Sequence, residues 1–85
     1  MKWREKKWVY PHHYEEHVGR VCGLTLCVRG PRGGHTYKWT IERVETGTQA
    51  HIEIAHGVCV ERDLAQHAAE HRARAIHAAG GKVAR

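Results

Sequence analysis

Cations and aromatic rings are interleaved near the start of the chain, and more cations follow at a glycine-rich turn. Lysine and arginine neutralise phosphates while indole rings stack on bases, so this mixture is typical of surfaces that contact nucleic acid. The residues that would form one such contact surface are Trp3, Lys6, Lys7, Trp8, Arg29 and Arg32. The alternative is structural, with Trp8 and Tyr10 packed on the core and the lysines in water.

A second chemical pattern runs from His67 to His71, which resembles the His-x-x-Glu-His pattern of the inverted zinc peptidases. Histidines at i and i+4 share a helix face and can chelate one zinc beside a carboxylate. A peptidase also needs a third ligand and a cleft, for which an 85-residue chain has little room. We therefore predict a solvated helix face with a Glu70–Arg74 pair, and no catalytic zinc.

The chain has three cysteines and no serine. Cys22 and Cys27 are five positions apart, so they face opposite sides of a continuous strand. Cys27 and His51 share a face but lie on predicted strands about two 4.8 Å spacings apart, too far for ligands of one metal ion. No third group or oxyanion donor supports a Cys–His nucleophile. We expect no enzyme activity, no metal and no cofactor, and we expect Cys27 to be a free surface thiol.

Length and charge narrow the class of protein. The 85 residues indicate one domain, with a net charge of +5 that is concentrated in residues 1–34, where seven Lys or Arg face three Glu. A basic balance favours contact with nucleic acid or with an acidic protein surface. No apolar run approaches a membrane span, and an odd cysteine count without an export signal predicts reduced thiols in the cytoplasm.

Residues 61–79 predict the element that must position these groups, an amphipathic helix. One face of this helix collects small and apolar side chains: Leu64, Ala65, Ala68, Ala69, Ala75, Ile76 and Ala79. Arg72 falls in the middle of this stripe, so it must extend past the sheet edge or pair with Glu53 or Glu42. Gly80 and Gly81 are expected to end the helix.

Three alternating segments predict the sheet on which this helix lies. They are residues 20–29, 35–44 and 49–55. Short turns between them favour an antiparallel meander in sequence order, with the face opposite the helix in water. Residues 11–18, which begin with Pro11 and precede Gly19, suggest a short helix. The expected core is Leu24, Leu26, Val28, Tyr37, Trp39, Ile41, Ile52, Ile54, Leu64, Ala68 and Ile76, and Cys22 and Ala50 also face inward.

The predicted fold class is α+β, a three-stranded antiparallel β-meander with one long C-terminal helix packed on one face and a short N-terminal arm or helix. The expected divisions of this single domain are an arm at 1–19, the sheet at 20–60, the helix at 61–79 and a tail at 80–85.

A helix, a three-stranded meander and a helix in that order are similar to the double-stranded-RNA-binding domain. The residues that carry the likeness are Gly30, Pro31, His35, Tyr37 and Trp39 in the second loop and its following strand, and Ala65, Ala68 and Ala69 in the last helix. The family's lysine cluster is missing where Arg62 and Asp63 stand, and the first predicted helix is shorter than the family's. The resemblance therefore implies topology and not RNA binding.

Without catalytic groups, the sequence favours a non-enzymatic binding protein, an adaptor or inhibitor that acts on a protein partner, with Arg72 among its contacts. Small basic chains rich in Ala, Arg and His look like accessory proteins of phages and mobile elements. The alternative is a nucleic-acid-binding accessory protein that uses the N-terminal arm and the Arg29/Arg32 loop. Monomer and homodimer both stay open.

Overall fold

A meander of antiparallel strands leads into one C-terminal helix in the computed structural model, which describes residues 2–6, 14–45 and 47–80. The elements are β1 (Arg4–Glu5), β2 (Tyr14–Val21), β3 (Leu24–Pro31), β4 (Tyr37–Val44), β5 (His51–Cys59) and α1 (Arg62–Ala78). Each strand pairs with the next, so the sheet order is β1-β2-β3-β4-β5. The α+β class with an antiparallel sheet and a C-terminal helix is confirmed, but the prediction of three strands is wrong because the described residues form five.

The hairpin between β2 and β3 explains much of this difference. Cys22 and Gly23 both have positive φ, 55° and 76°, which is the backbone of a two-residue type I′ turn. This turn divides the predicted strand 20–29 into two paired strands and leaves Cys22 exposed rather than inward. Residues 14–18 of the predicted short helix belong to β2, and residues 11–13 lie outside the described part of the chain.

The likeness to the double-stranded-RNA-binding domain does not hold at the level of topology. Within residues 2–6 and 14–45 no helix precedes the three expected strands, and two strands stand there instead. A family that carries one helix on each side of a three-stranded meander has a different arrangement.

Alternation of apolar residues does not predict β2, because some of its helix-facing positions are polar. Glu15 is only 3% exposed. Its carboxylate accepts hydrogen bonds from the Tyr37 hydroxyl at 2.7 Å and from the Arg62 guanidinium at 3.3 Å, and it contacts the His17 ring nitrogen at 2.6 Å. A buried carboxylate is tolerated when it is paired in this way, so Glu15 can occupy a core position that patterning assigns to apolar residues.

The first strand joins the N-terminal residues to the sheet and to the helix. Arg4 pairs with Val18 in β2, so the side chain of Trp3 falls on the helix side. The Trp3 indole donates a hydrogen bond to the Glu70 carboxylate at 2.6 Å and packs against the core. Glu70 is therefore held by Trp3, and no ion pair joins it to Arg74 among the described residues.

The helix lies on the sheet through a row of alanines. Its buried residues are Ala65, Ala69, Ala73 and Ile76. At about 100° per residue this row is rotated from the predicted stripe, so that Ala73 takes the central place expected for Arg72. The rotation keeps a guanidinium out of the apolar interface and leaves Leu64 50% exposed. The helix ends as predicted at Gly80, whose positive φ of 87° allows its N–H to reach the His77 carbonyl at 2.9 Å.

The centre of the core lies on β3 and β4. Leu26, Val28 and Ile41 are fully buried. Of the other expected core residues, Leu24, Tyr37 and Ile76 are buried, while Trp39, Ile52, Ile54 and Ala68 are half-buried and Leu64 is exposed. β5 continues to Cys59, beyond the predicted end at residue 55, and pairs there with β4.

Truncation of Ile41 to alanine should destabilise the protein by about 2–5 kcal/mol, because the side chain is fully buried and leaves a cavity. The matched change Leu64→Ala should cost less than about 1 kcal/mol, since half of that side chain is already in water. Urea denaturation followed by circular dichroism measures both free energies of unfolding. Equal losses would show that α1 buries Leu64.

Glu15 should make stability depend on acid. Burial alone would raise its pKa, but hydrogen bonds with His17, Tyr37 and Arg62 outweigh burial, and the pKa lies below its ordinary value of 4.5. The carboxylate therefore contributes stability above about pH 4.5 that is lost as the pH falls through the lowered pKa. Glu15→Gln should be less stable than the wild type by about 1–3 kcal/mol at neutral pH.

This gap in unfolding free energy should narrow as the pH falls through the lowered pKa of Glu15, because the wild-type side chain then becomes neutral as well. The control is Glu53→Gln, because Glu53 is exposed and pairs with an exposed His56. Its gap should stay below about 1 kcal/mol throughout. A gap for Glu15→Gln that does not change with pH would contradict the prediction.

Candidate functional site

The face of the sheet opposite α1 is concave and cationic. It encloses a cavity of about 710 Å³. Five cations line this cavity, and we call the surface the cationic face: Lys2, Arg4, Lys6, Arg20 and Arg29. Lys2, Arg4 and Lys6 stand at every second position, which is the spacing that places side chains on one side of an extended segment.

Strand register brings the cations of three segments together. Arg4 lies opposite Val18 in β2, and Arg20 lies two residues farther along β2 on the same side. Arg20 in turn lies opposite Thr25 in β3, and Arg29 is four positions after Thr25 on the same strand. Because partners in an antiparallel pair share a face, these side chains all point away from the helix.

A buried carboxylate forms the floor of the cationic face. Glu16 is 5% exposed and accepts a hydrogen bond from the Cys27 thiol. One Glu16 oxygen lies 4.0 Å from the Arg29 guanidinium and the other lies 3.9 Å from the Lys6 ammonium. Glu16 therefore holds two of the five cations in place.

The Cys27 thiol is buried, so the prediction of a surface thiol is wrong. Burial and, next, the hydrogen bond and negative charge of Glu16 raise its pKa to about 12. Cys27 is therefore protonated at neutral pH and is not a nucleophile. Its neighbour across the β3–β4 pair, Thr40, is also buried, and its hydroxyl has no hydrogen-bond partner in the described part of the chain. The expectation of a fully solvated outer face fails at these three residues.

The three cations that Glu16 does not contact give this surface its excess of positive charge. Lys2, Arg4 and Arg20 form no ion pair with any described carboxylate. The other acidic group of the cavity, Glu42, lies 3.3 Å from the His51 ring. Positive charge therefore exceeds negative charge across the concavity.

The structure divides the six residues that we predicted to form one contact surface. Lys6 and Arg29 lie on the cationic face. Trp3 lies on the helix side, and Arg32 pairs with Glu5. Lys7 and Trp8 lie outside the described residues. Lys2, Arg4 and Arg20 were not among the predicted contact residues, although the alternation of Lys2, Arg4 and Lys6 indicates a common face.

The structure does not bring the other candidate residues, Arg72 and the two helix histidines, together into a site. Arg72 is exposed on α1, which lies on the other side of the sheet from the cationic face. His67 and His71 are exposed on α1, and the glutamate between them is engaged by Trp3. The described residues contain no group of three or more His, Cys, Asp or Glu that could hold a metal ion. They also contain no helix that is long and apolar enough to cross a membrane.

Comparison of the chain with protein-family models, with curated proteins and with solved structures finds no match.

The two thiols of the β2–β3 hairpin should differ sharply in reactivity. Cys22 is exposed in the turn, whereas Cys27 is buried with its pKa raised to about 12. With a chromogenic disulfide reagent at mildly alkaline pH, Cys27 should react on the order of a hundredfold more slowly than Cys22, because thiolate and access are both lacking. Cys22→Ser should remove the fast phase and Cys27→Ser should not. A fast phase that survives in Cys22→Ser and disappears in Cys27→Ser would show that Cys27 is accessible.

Proposed function

We propose that this protein binds nucleic acid through the cationic face. The observation that carries the proposal is the gathering of five cations on one concave surface, three of them without a carboxylate partner among the described residues. Phosphates along a nucleic acid strand are a repeated negative charge, and their neutralisation by Lys and Arg supplies most of the sequence-independent affinity.

The shape of the surface supports a strand or a duplex over a flat anionic surface. A concave sheet contacts a rounded partner with more of its cations than it could present to a planar lipid headgroup layer. Lys2, Arg4 and Lys6 repeat every second residue, about 6.6–6.8 Å apart along an extended segment. Such a row can follow a backbone whose charges also repeat.

The composition of the surface supports recognition of the backbone over recognition of bases. No aromatic side chain of the described residues lines the concavity. Contacts to phosphate position a protein but carry no sequence information. The proposed binding is therefore strongly salt-dependent and nearly independent of sequence.

A protein partner is the second candidate, and it is the function that the sequence alone favours. Three apolar side chains are unusually exposed where β5 passes into α1: Val58 at 65%, Val60 at 62% and Leu64 at 50%. Exposed apolar side chains within one short stretch of chain are available for contact with another protein. An adaptor or inhibitor of the kind carried by phages and mobile elements could use this end of the molecule.

Fluorescence anisotropy with short labelled single-stranded DNA, single-stranded RNA and duplex DNA tests the first candidate. The double variant Arg4→Glu/Arg20→Glu should lose at least about tenfold in affinity for every sequence at about 50 mM salt. The salt slope should fall by roughly 0.7–0.9 for each lost phosphate contact.

The matched control is Arg43→Glu/Arg74→Glu, which changes the net charge equally at exposed positions that do not line the cavity. Its affinity should fall by less than about threefold. Equal losses of affinity in both variants would show that the net charge of the protein, and not the cationic face, determines binding. An absence of binding at about 50 mM salt, or affinity that is insensitive to salt, would refute the proposal.

A further inference from the structure

A groove lies at the β5 edge of the sheet beside α1, and it shares no lining residue with the cationic face. Its volume is about 510 Å³. The lining combines apolar and charged side chains: Trp39, Glu53, Ile54, Ala55, His56 and Arg72. Grooves between an edge strand and a helix are places where several peptide-binding domains add an extended segment to a sheet.

Trp39 provides the aromatic wall of the groove. Its indole packs directly over Gly57, its partner across the β4–β5 pair, where a Cβ atom would approach the ring to 2.5 Å. The indole N–H makes no hydrogen bond to any residue that the structure describes. Trp39 therefore offers a flat apolar surface and an unused donor to an entering chain.

Arg72 provides the charge. It is exposed, and no carboxylate of the described residues pairs with it. The nearest acidic residue of the groove, Glu53, is engaged by the His56 ring at 2.9 Å. A guanidinium carries a positive charge in proteins, so Arg72 presents that charge beside Trp39 without an ion-pair partner among the described residues. Tryptophan and arginine are also the residue types that most often dominate the binding energy of protein interfaces.

β5 provides the backbone groups. It is the outermost strand on its side of the described sheet and is nine residues long. The register with β4 shifts beside Ile41 and Glu42 and is regular from residue 56 to residue 59. Along that regular part, the N–H and C=O groups that face away from β4 have no strand partner among the described residues. Val58 and Val60, which are exposed, continue the same segment.

We infer that this groove binds an extended segment of a protein partner as a further strand beside β5, with an acidic side chain of that segment facing Arg72. This inference rests on the second candidate function. Backbone hydrogen bonds to residues 56–59 supply affinity, Trp39 receives an apolar side chain, and Arg72 selects the acidic one.

Selection from a display library of random short peptides tests the inference. The expected outcome is enrichment of peptides that alternate β-branched residues and contain Asp or Glu. An enriched peptide, synthesised and titrated against Trp fluorescence, should bind Arg72→Glu at least about tenfold more weakly than the wild type. Binding to Arg74→Glu, the matched control on the same helix, should change by less than about twofold.

Changes in the peptide keep the test independent of the folding of the protein. N-methylation of one backbone amide of the synthetic peptide should cost at least about tenfold in affinity, because it removes a donor to β5. Replacement of the acidic residue by its amide should cost a similar factor with wild-type protein and little with Arg72→Glu. Affinity that ignores both changes would overturn strand addition beside Arg72.

The remaining outcomes separate this inference from the functions on which it is built. The inference would be overturned if basic peptides were enriched or if no peptide were enriched. It would also be overturned if the chain associated with itself and the N-methylated peptide did not inhibit that association. Selected peptides that lose affinity with Leu64→Ala but not with Arg72→Glu would overturn the groove while leaving a protein partner as the function. Arg4→Glu/Arg20→Glu should leave peptide affinity unchanged, so loss of nucleic acid binding does not affect the result.

Discussion

Two neighbouring carboxylates of β2 are buried on opposite faces of the sheet, and both layers of the protein depend on them. Alternation along a strand sends Glu15 toward the helix and Glu16 toward the cationic face, where they are 3% and 5% exposed. Burial of either carboxylate would cost free energy without hydrogen-bond or ion-pair partners, and the two have different partners. Glu15 joins β2 to Tyr37 in β4 and to Arg62 at the start of α1. Glu16 holds Cys27 and two cations of the opposite face. A slip of one residue in β2 would turn each carboxylate to the other face and leave one of the two sets of partners without a carboxylate.

The parts of the fold that could be predicted from sequence are those in which burial and hydrophobicity coincide. Alternation placed Leu24, Leu26 and Val28 on the inner face of one strand, and Gly80 marked the end of the helix. β2 was missed because its inward positions include a carboxylate, whose partners Tyr37 and Arg62 are distant in sequence. The rotation of α1 was missed because five of the seven residues in the predicted stripe are alanines, which define a helix face only loosely. The cost of burying the Arg72 guanidinium selects the rotated face instead.

The residues of the candidate site could also be predicted only in part from the sequence. Lys6 and Arg29 were selected for their charge, and they do share a surface. Their neighbours Arg4 and Arg20 could be identified only once β1 and β2 were known to pair, because register decides which cations meet. Trp3, selected as a stacking residue, is instead held by Glu70 in the helix layer. Composition thus indicated the kind of partner, while pairing determined which residues could face it. The cationic face and the β5–α1 groove share no lining residue, so a nucleic acid and a peptide would contact different side chains.

The unequal lengths of the two outer strands bear on how copies of this chain could stack. β1 has two residues, both charged, while β5 has nine. Head-to-tail growth of a fibre requires each copy to offer two compatible edges, one to the copy before it and one to the copy after it. A two-residue edge cannot match a nine-residue edge along most of its length. Among the described residues, edge-to-edge association through β5 would therefore favour a symmetric pair over continued growth.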